Sequence, residues 1–181
     1  MEGILDVYHR PYDKRFPVVC IDETNKQLIK ETRIPATPNS VEKVDFEYER
    51  RGVANIFMIN EPLAGKRATV VTETRTAVDF ANVMKYTADG LYPDAEKIIL
   101  VTDNLNTHSF ASLYKTFEPA EARRIANRFE WHFTPKHASW LNMAEIEIGI
   151  MSRQALAKPL STLECFTKQI DDDARIRLKK L

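Results

Sequence analysis

Two short apolar runs in this chain each end on an acid, and that pattern restricts the fold more than any other feature. They are Pro17-Val18-Val19-Cys20-Ile21-Asp22-Glu23 and Lys97-Ile98-Ile99-Leu100-Val101-Thr102-Asp103. A half-exposed strand would alternate apolar and polar residues, so consecutive β-prone apolar residues read as strands buried on both faces. Strands covered above and below require layers, which predicts an α/β domain. Carboxylates at the ends of such strands fall in the crevice where open α/β sheets bind ligands. The longest apolar stretches are about six residues, too short to span a bilayer.

The remaining segments predict a mixed sheet rather than a strictly alternating parallel one. Met1 to Phe16 reads as a short helix or arm and lacks the apolar centre of a signal peptide. Thr24 to Lys43 is polar, contains Pro35 and Pro38, and reads as loop. Val44 to Glu49 alternates and reads as a half-exposed strand. Ala54 to Ile59 and Ala68 to Thr72 bracket a turn with Pro62 and Gly65, a hairpin signal. Thr76 to Tyr86 reads as a helix with Val78, Ala81, Val83 or Phe80, and Met84 near helical spacing, Thr76 as N-cap and Gly90 as its stop. Pro119 to Arg128 reads as a helix, Phe129 to Phe133 as a strand, and Asn142 to Ala157 as a helix with Ile146, Ile150 and Met151 on one side. In the tail, Asp171 to Asp173 precede Arg175, Arg177, Lys179 and Lys180, which suits a helix dipole.

With 181 residues the chain is long enough for one domain with a real core. Its 26 basic and 26 acidic residues cancel, so phosphate binding must come from local patches. Cys20 and Cys165 make neither a disulfide framework nor a zinc spacing, and a reducing, intracellular setting fits them.

The chemistry lies in the acids. Asp22 and Asp103 end the two strands, and Glu145 opens the late helix. If the strands are neighbours and the helix packs on the sheet, three carboxylates converge. Such a cluster repels itself unless cations neutralise it, and hard divalent cations prefer oxygen ligands. Two ions about 4 Å apart can clamp the attacking and leaving oxygens of an in-line displacement. Taken singly, each acid also has a plain structural reading, as a turn cap or a partner of the helix dipole. Glu147 lies about 200° around the helix from Glu145 and cannot share its site, so it reads as solvated or as a supporting partner. An apolar stripe through Met143, Ile146 and Ile150 sets Glu145 on an adjacent stripe with Asn142 and Gly149. Glu23 is expected on the face opposite Asp22.

Three blocks, in order, carry a resemblance. They are Val19-Cys20-Ile21-Asp22-Glu23, Leu100-Val101-Thr102-Asp103-Asn104-Leu105-Asn106-Thr107-His108, and Thr134-Pro135-Lys136-His137-Ala138-Ser139-Trp140-Leu141-Asn142-Met143-Ala144-Glu145. Together they resemble the catalytic blocks of the mariner superfamily of transposases, nearest to its bacterial insertion-sequence branch. The third block is the most specific: the family's Leu-Asn-Pro-Ile-Glu stands here as Leu141-Asn142-Met143-Ala144-Glu145. Between the acids lie 80 and then 41 residues, the second interval being longer than in the animal members.

The resemblance implies a ribonuclease-H-like mixed sheet with helices on both faces, forming a single catalytic domain over residues 1–181. It implies Asp22, Asp103 and Glu145 as catalytic and metal-holding residues, with magnesium as cofactor, manganese as substitute, and two ions. It implies phosphodiester cleavage at transposon ends and strand transfer into target DNA. Asn104, His108, Lys136, His137 and Trp140 are the candidate DNA contacts; His108 could instead orient a carboxylate or be a structural, hydrogen-bonded histidine, and Trp140 could instead plug the core. The expected partners are DNA, a second copy in a homodimer, and a separate end-binding polypeptide, with no membrane. The expected location is the bacterial cytoplasm, with the nucleoid. The family's N-terminal helix-turn-helix region has no counterpart here, and Thr162 to Leu181 resembles a shortened final segment. Two other readings stay open, a different ribonuclease-H-like nuclease such as a resolvase and a non-catalytic remnant.

Overall fold

The computed structural model describes residues 2–34, 43–105 and 108–178, with residues 31–34, 43–47 and 175–178 described by backbone alone. Its elements run α1 (Glu2–Tyr8), β1 (Val18–Ile34), β2 (Lys43–Glu61), β3 (Lys66–Thr72), α2 (Ala77–Tyr86), β4 (Ile98–Thr102), α3 (Phe110–Thr116), α4 (Pro119–Ala126), β5 (Phe129–Phe133), α5 (Met143–Gln154) and α6 (Leu163–Leu178). One mixed sheet holds the strands in the order β3-β2-β1-β4-β5. β1, β2 and β3 pair antiparallel, while β1, β4 and β5 pair parallel.

The two acid-ending runs are neighbouring central strands, and their alternation divides the core into two layers. Cys20, Ile56, Met58, Ile99 and Val101 face α1, α5 and α6. Val19, Ile21, Phe57, Ile59, Ile98 and Leu100 face α2, α3 and α4. Period-2 geometry sends successive side chains to opposite faces, so a strand covered by helices on both sides has to be apolar at every position. The ribonuclease-H-like mixed sheet with helices on both faces therefore stands. Among the described residues no helix is long and apolar enough to cross a membrane.

Several local expectations change. Thr24 to Ile34 is strand, not loop: β1 continues through it, paired with β2 as far as Ile34 and Lys43. The ladder supplies backbone hydrogen bonds without demanding an apolar sequence, and of its side chains Leu28 is one that reaches the core. Pro35 and Pro38 lie outside the described residues. The strand read at Val44 to Glu49 is the first part of the same β2 that carries Ala54 to Ile59. What separates them is a bulge. Gln27 pairs with Val53 and Ile29 with Arg50, so two β2 residues oppose one of β1. Gly52 sits in that bulge at φ +94°, a conformation side chains rarely adopt. The Pro62–Gly65 turn forms as read, with Gly65 at φ +63°.

α2 starts on a capping box formed by Thr76 and Asp79; Val78 is exposed, and Phe80, Ala81, Val83 and Met84 are the buried members. The helix does not stop at Gly90. It passes into a π-helical turn over Thr87–Leu91. α3 has no counterpart in the sequence reading, because its seven residues bury Ser112 and Leu113 alone.

α5 is turned differently from the wheel expectation. Ile146 is 54% exposed; Met143 and Met151 meet the core as expected, joined by Ala144, Ile148 and, just past the helix, Ala155. Glu147 is not solvated. It pairs at 3.1 Å with Arg67 of β3, whose guanidinium also hydrogen-bonds Asp173 of α6. This largely buried triad ties an edge strand to α5 and α6, two of the three helices of that layer.

Removing one member of a buried ion pair leaves its partners charged and desolvated, at a cost of about 3–5 kcal/mol. Arg67→Met is therefore expected to lower unfolding stability by roughly that amount in a denaturant titration. A change under about 1 kcal/mol would show that the clamp carries no weight.

Candidate active site

The parallel pairing of β1 and β4 runs through Val18–Ile99, Val19–Leu100 and Cys20–Val101. Continued two residues onward, this register sets Asp22 level with Asp103; Asp103 follows the end of β4, whereas Asp22 does not end its strand as expected but lies inside β1, which the β2 ladder carries on to Ile34. The Asp22 residue is 8% exposed, and its Oδ1 accepts the Glu23 N–H at 2.8 Å. The Asp103 side chain is 23% exposed.

Glu145 reaches the same end through Asn142. This buried residue caps α5, its Oδ1 accepting the Ala144 N–H at 3.2 Å. Its Nδ2 donates to Ile21 O at 3.0 Å, one residue before Asp22. A single amide thus anchors the first turn of α5, which holds Glu145, to the strand that holds Asp22. Tyr8 of α1 adds a second tether. Its hydroxyl donates to Leu141 O at 2.7 Å, accepts the Met143 N–H at 3.3 Å, and lies 3.2 Å from Cys20 Sγ. Burial, with the neighbouring Cys20, holds the Tyr8 hydroxyl well above its usual range, so it stays protonated and can donate. The Cys20 thiol, pushed up to about 11 mainly by burial, is no nucleophile at neutral pH.

The electrostatics connect the acids. Burial is the largest cause that lifts the Asp22 carboxyl from 3.8 to about 7, and the charges of Asp103, Glu23 and Glu145 lift it further. The Glu23 N–H opposes them. Asp22 therefore sits in the negative field of three other carboxylates. The donor set of Asp22, Asp103 and Glu145, all carboxylate oxygens, suits a hard divalent cation. Among the described residues, however, no three His, Cys, Asp or Glu side chains are drawn into the range of one shared ion.

His108 is buried and turned inward. Its Nδ1 hydrogen-bonds Asp103 Oδ1, and its Nε2 lies 2.9 Å from Glu23 Oε2. Burial alone would lower the imidazole pKa, but the hydrogen bonds and charges of the two acids raise it to about 9. Of the three roles read for it, a 1% exposed ring bonded to Asp103 fits the orienting and the structural ones, not a contact with DNA. Glu23, on the face opposite Asp22 as its strand position requires, is the residue the sequence left without a role. Asn142 was legible as a helix start, but its bond to β1 was not.

The candidate DNA contacts are on the surface. Asn104, Lys136 and His137 are exposed, and His137 adopts φ +65° in the loop before α5. Trp140 is 62% exposed, so it is not a core plug. Of the other histidines, His132 pairs with Glu130 at 2.7 Å, and His9 Nδ1 lies 2.8 Å from Leu5 O.

A family model described as DDE superfamily endonuclease matches residues 17–166. The search of curated proteins finds no match. Among solved structures, this chain is similar to a chain of the crystal structure of the Mos1 mariner paired end complex with Mn. The TM-score is 0.62 at 14% identity, over 97% of this chain and 52% of that one. The present chain thus spans about half the length of that relative, and the likeness is one of fold.

The Asp22 carboxyl gives a pH prediction with a definite sign. Its folded pKa of about 7 exceeds the ordinary 3.8, so the folded chain binds the proton more tightly. Its stabilising contribution is complete below about pH 4 and is lost as the pH rises to about 7. Without divalent metal, the wild type should therefore lose more thermal stability than Asp22→Asn between pH 4 and 7. Parallel melting curves for the two chains would contradict this origin of the shift.

Proposed function

Because the chain belongs to the family of DDE superfamily endonucleases, we propose that Asp22, Asp103 and Glu145 are its catalytic carboxylates and that it cuts and joins DNA as the catalytic domain of a transposase. The observation that carries this reading is the meeting of three elements. β4 ends one residue before Asp103, level with Asp22 in the neighbouring β1, and α5 is tethered to β1 by Asn142 one residue before Asp22.

In this reading the three acids hold divalent metal: magnesium, with manganese as substitute, in two ions. When bound, the metal supplies charge neutralisation for the scissile phosphate and lowers the pKa of bound water. The protein's part is position. β1 and the end of β4 fix the backbones of Asp22 and Asp103, and Asn142 and Tyr8 fix the start of α5, which carries Glu145. Asn104, Lys136 and His137 offer polar and cationic contacts to the phosphate backbone, and the exposed Trp140 offers a face for base stacking. The substrates are transposon ends and target DNA. A homodimer, end recognition by a separate polypeptide, and a place with nucleoid DNA belong to the same proposal; light scattering of the purified chain tests the dimer.

A second reading, a chain that folds and holds DNA without cutting it, is favoured by one observation. The acids are not drawn into shared ligand range.

Nicking of supercoiled DNA with magnesium or manganese decides between them. Cleavage is expected for the wild type, with Asp22→Asn, Asp103→Ala and Glu145→Gln each losing about a thousandfold, the several kcal/mol that metal-assisted charge stabilisation supplies. Glu147→Gln should keep most of the activity, since its side chain serves the Arg67 clamp. The opposite order for Glu145 and Glu147 would displace the third acid. An inactive wild type with ordinary DNA binding would support the second reading.

Binding of a fluorescent duplex should be weak at physiological salt and fall steeply as salt rises, because the balanced net charge leaves only local patches. Trp140→Ala should weaken binding to single-stranded DNA about fivefold, the low end of a stacked base's worth. Tight, salt-insensitive binding in fluorescence anisotropy would contradict both.

A further inference from the structure

The backbone ladder between β1 and β4 is described as far as Cys20 and Val101, two residues short of the acids. Beyond that point a side-chain bridge joins the strands. Glu23 leaves β1 on the face opposite Asp22, and His108 folds back from the loop after β4. The buried imidazole stacks on Phe80 at 4.4 Å between centroids and 29° between planes, and Phe80 is itself fully buried in α2. That stacking sets the ring plane, so each nitrogen has one direction. Nδ1 meets Asp103 Oδ1, with Thr102 Oγ1 at 3.3 Å from the same nitrogen. Nε2 lies 2.9 Å from Glu23 Oε2, an ion-pair contact to a buried oxygen that has no hydrogen-bond partner among the described residues.

We propose that Glu23 and His108 form a positioning relay that fixes the Asp103 carboxylate, so that Glu23 acts on the metal-holding acid through the imidazole and not as a fourth ligand. This rests on the reading of Asp103 as a metal-holding residue. A carboxylate at a strand end has two free torsions, and a hydrogen bond from a ring locked by packing removes that freedom. Carboxylates at both ring nitrogens favour the imidazolium, in which Nε2–H is directed at Glu23 while Nδ1–H donates to Asp103. Such supporting partners typically change metal affinity by about 10–100-fold when removed. Glu23 also lies in the field around Asp22, so its loss could weaken metal binding by charge alone. The two explanations differ in whether the effect passes through His108.

The test is manganese binding to the full chain without DNA, followed by the electron paramagnetic resonance of free Mn2+. Wild type, Glu23→Gln, His108→Gln, the double variant and Asp103→Asn are compared, with unfolding midpoints recorded for each. Expected are about tenfold losses of affinity for Glu23→Gln and His108→Gln, and no further loss in the double variant. In the nicking assay kcat should fall with KM for DNA unchanged, which a merely structural loss would not produce. Additive losses, or an unchanged affinity in Glu23→Gln, would overturn the relay. If Asp103→Asn abolishes binding while Glu23→Gln is silent, the relay fails and the catalytic reading survives. If Asp103→Asn leaves Mn2+ affinity intact, the catalytic reading fails and the relay falls with it. Should one single variant not fold, the other decides: it must lose about tenfold in affinity, and an unchanged affinity overturns the relay.

Discussion

The side-by-side pairing of Val18–Cys20 with Ile99–Val101 is the constraint on which the remaining architecture depends. It joins an antiparallel half, β1 to β3, to a parallel half, β4 and β5. Because both strands are covered above and below, neither can slip by one residue without exchanging its two faces. Cys20 and Val101 would leave one layer and Ile21 and Leu100 the other. The same register that packs the core therefore also fixes the relative height of Asp22 and Asp103. Position at the candidate site is a by-product of hydrophobic packing two residues away.

Charge at that sheet end is held under strain. Asp22 is buried among the fields of Asp103, Glu23 and Glu145, and its carboxyl retains a proton to about pH 7. One cation lies beneath the cluster, His108, and it is held between Glu23 and Asp103. Removing a carboxylate from water costs several kcal/mol unless its charge is met. His108 meets that demand on the α2 side of the sheet. On the α5 side, where Asp22 faces, the charge is left for a cation to meet. The asymmetry is what separates a supporting pair from a candidate ligand set.

α5 is held from three directions. Asn142 hydrogen-bonds β1, Tyr8 hydrogen-bonds the turn before the helix, and Glu147 pairs with Arg67 on β3. Small Ala144 faces the sheet, fully buried, which lets the helix start approach β1 closely. These contacts explain why Ile146 is exposed although the apolar spacing favoured it: the tethers at the helix start decide the rotation of α5, and the stripe through Ala144, Ile148 and Met151 follows.

The sequence by itself determined the two buried strands, the β2–β3 turn, α2, α4, β5 and the start of α5, because burial on both faces, turn residues and caps are local patterns. It also marked Asp22, Asp103 and Glu145, each standing next to such a pattern. The tertiary structure alone decided what depends on partners distant in the chain. The polar extension of β1 to Ile34 is held by its ladder with β2, which leaves no hydrophobic signature. Glu147 is a clamp because Arg67, eighty residues earlier, faces it. Glu23 has a partner because His108 folds back across a strand end. Hydrophobic periodicity is written residue by residue, whereas a hydrogen bond or ion pair between remote side chains exists only once packing has set both ends, and that is why the acids were legible and their supports were not.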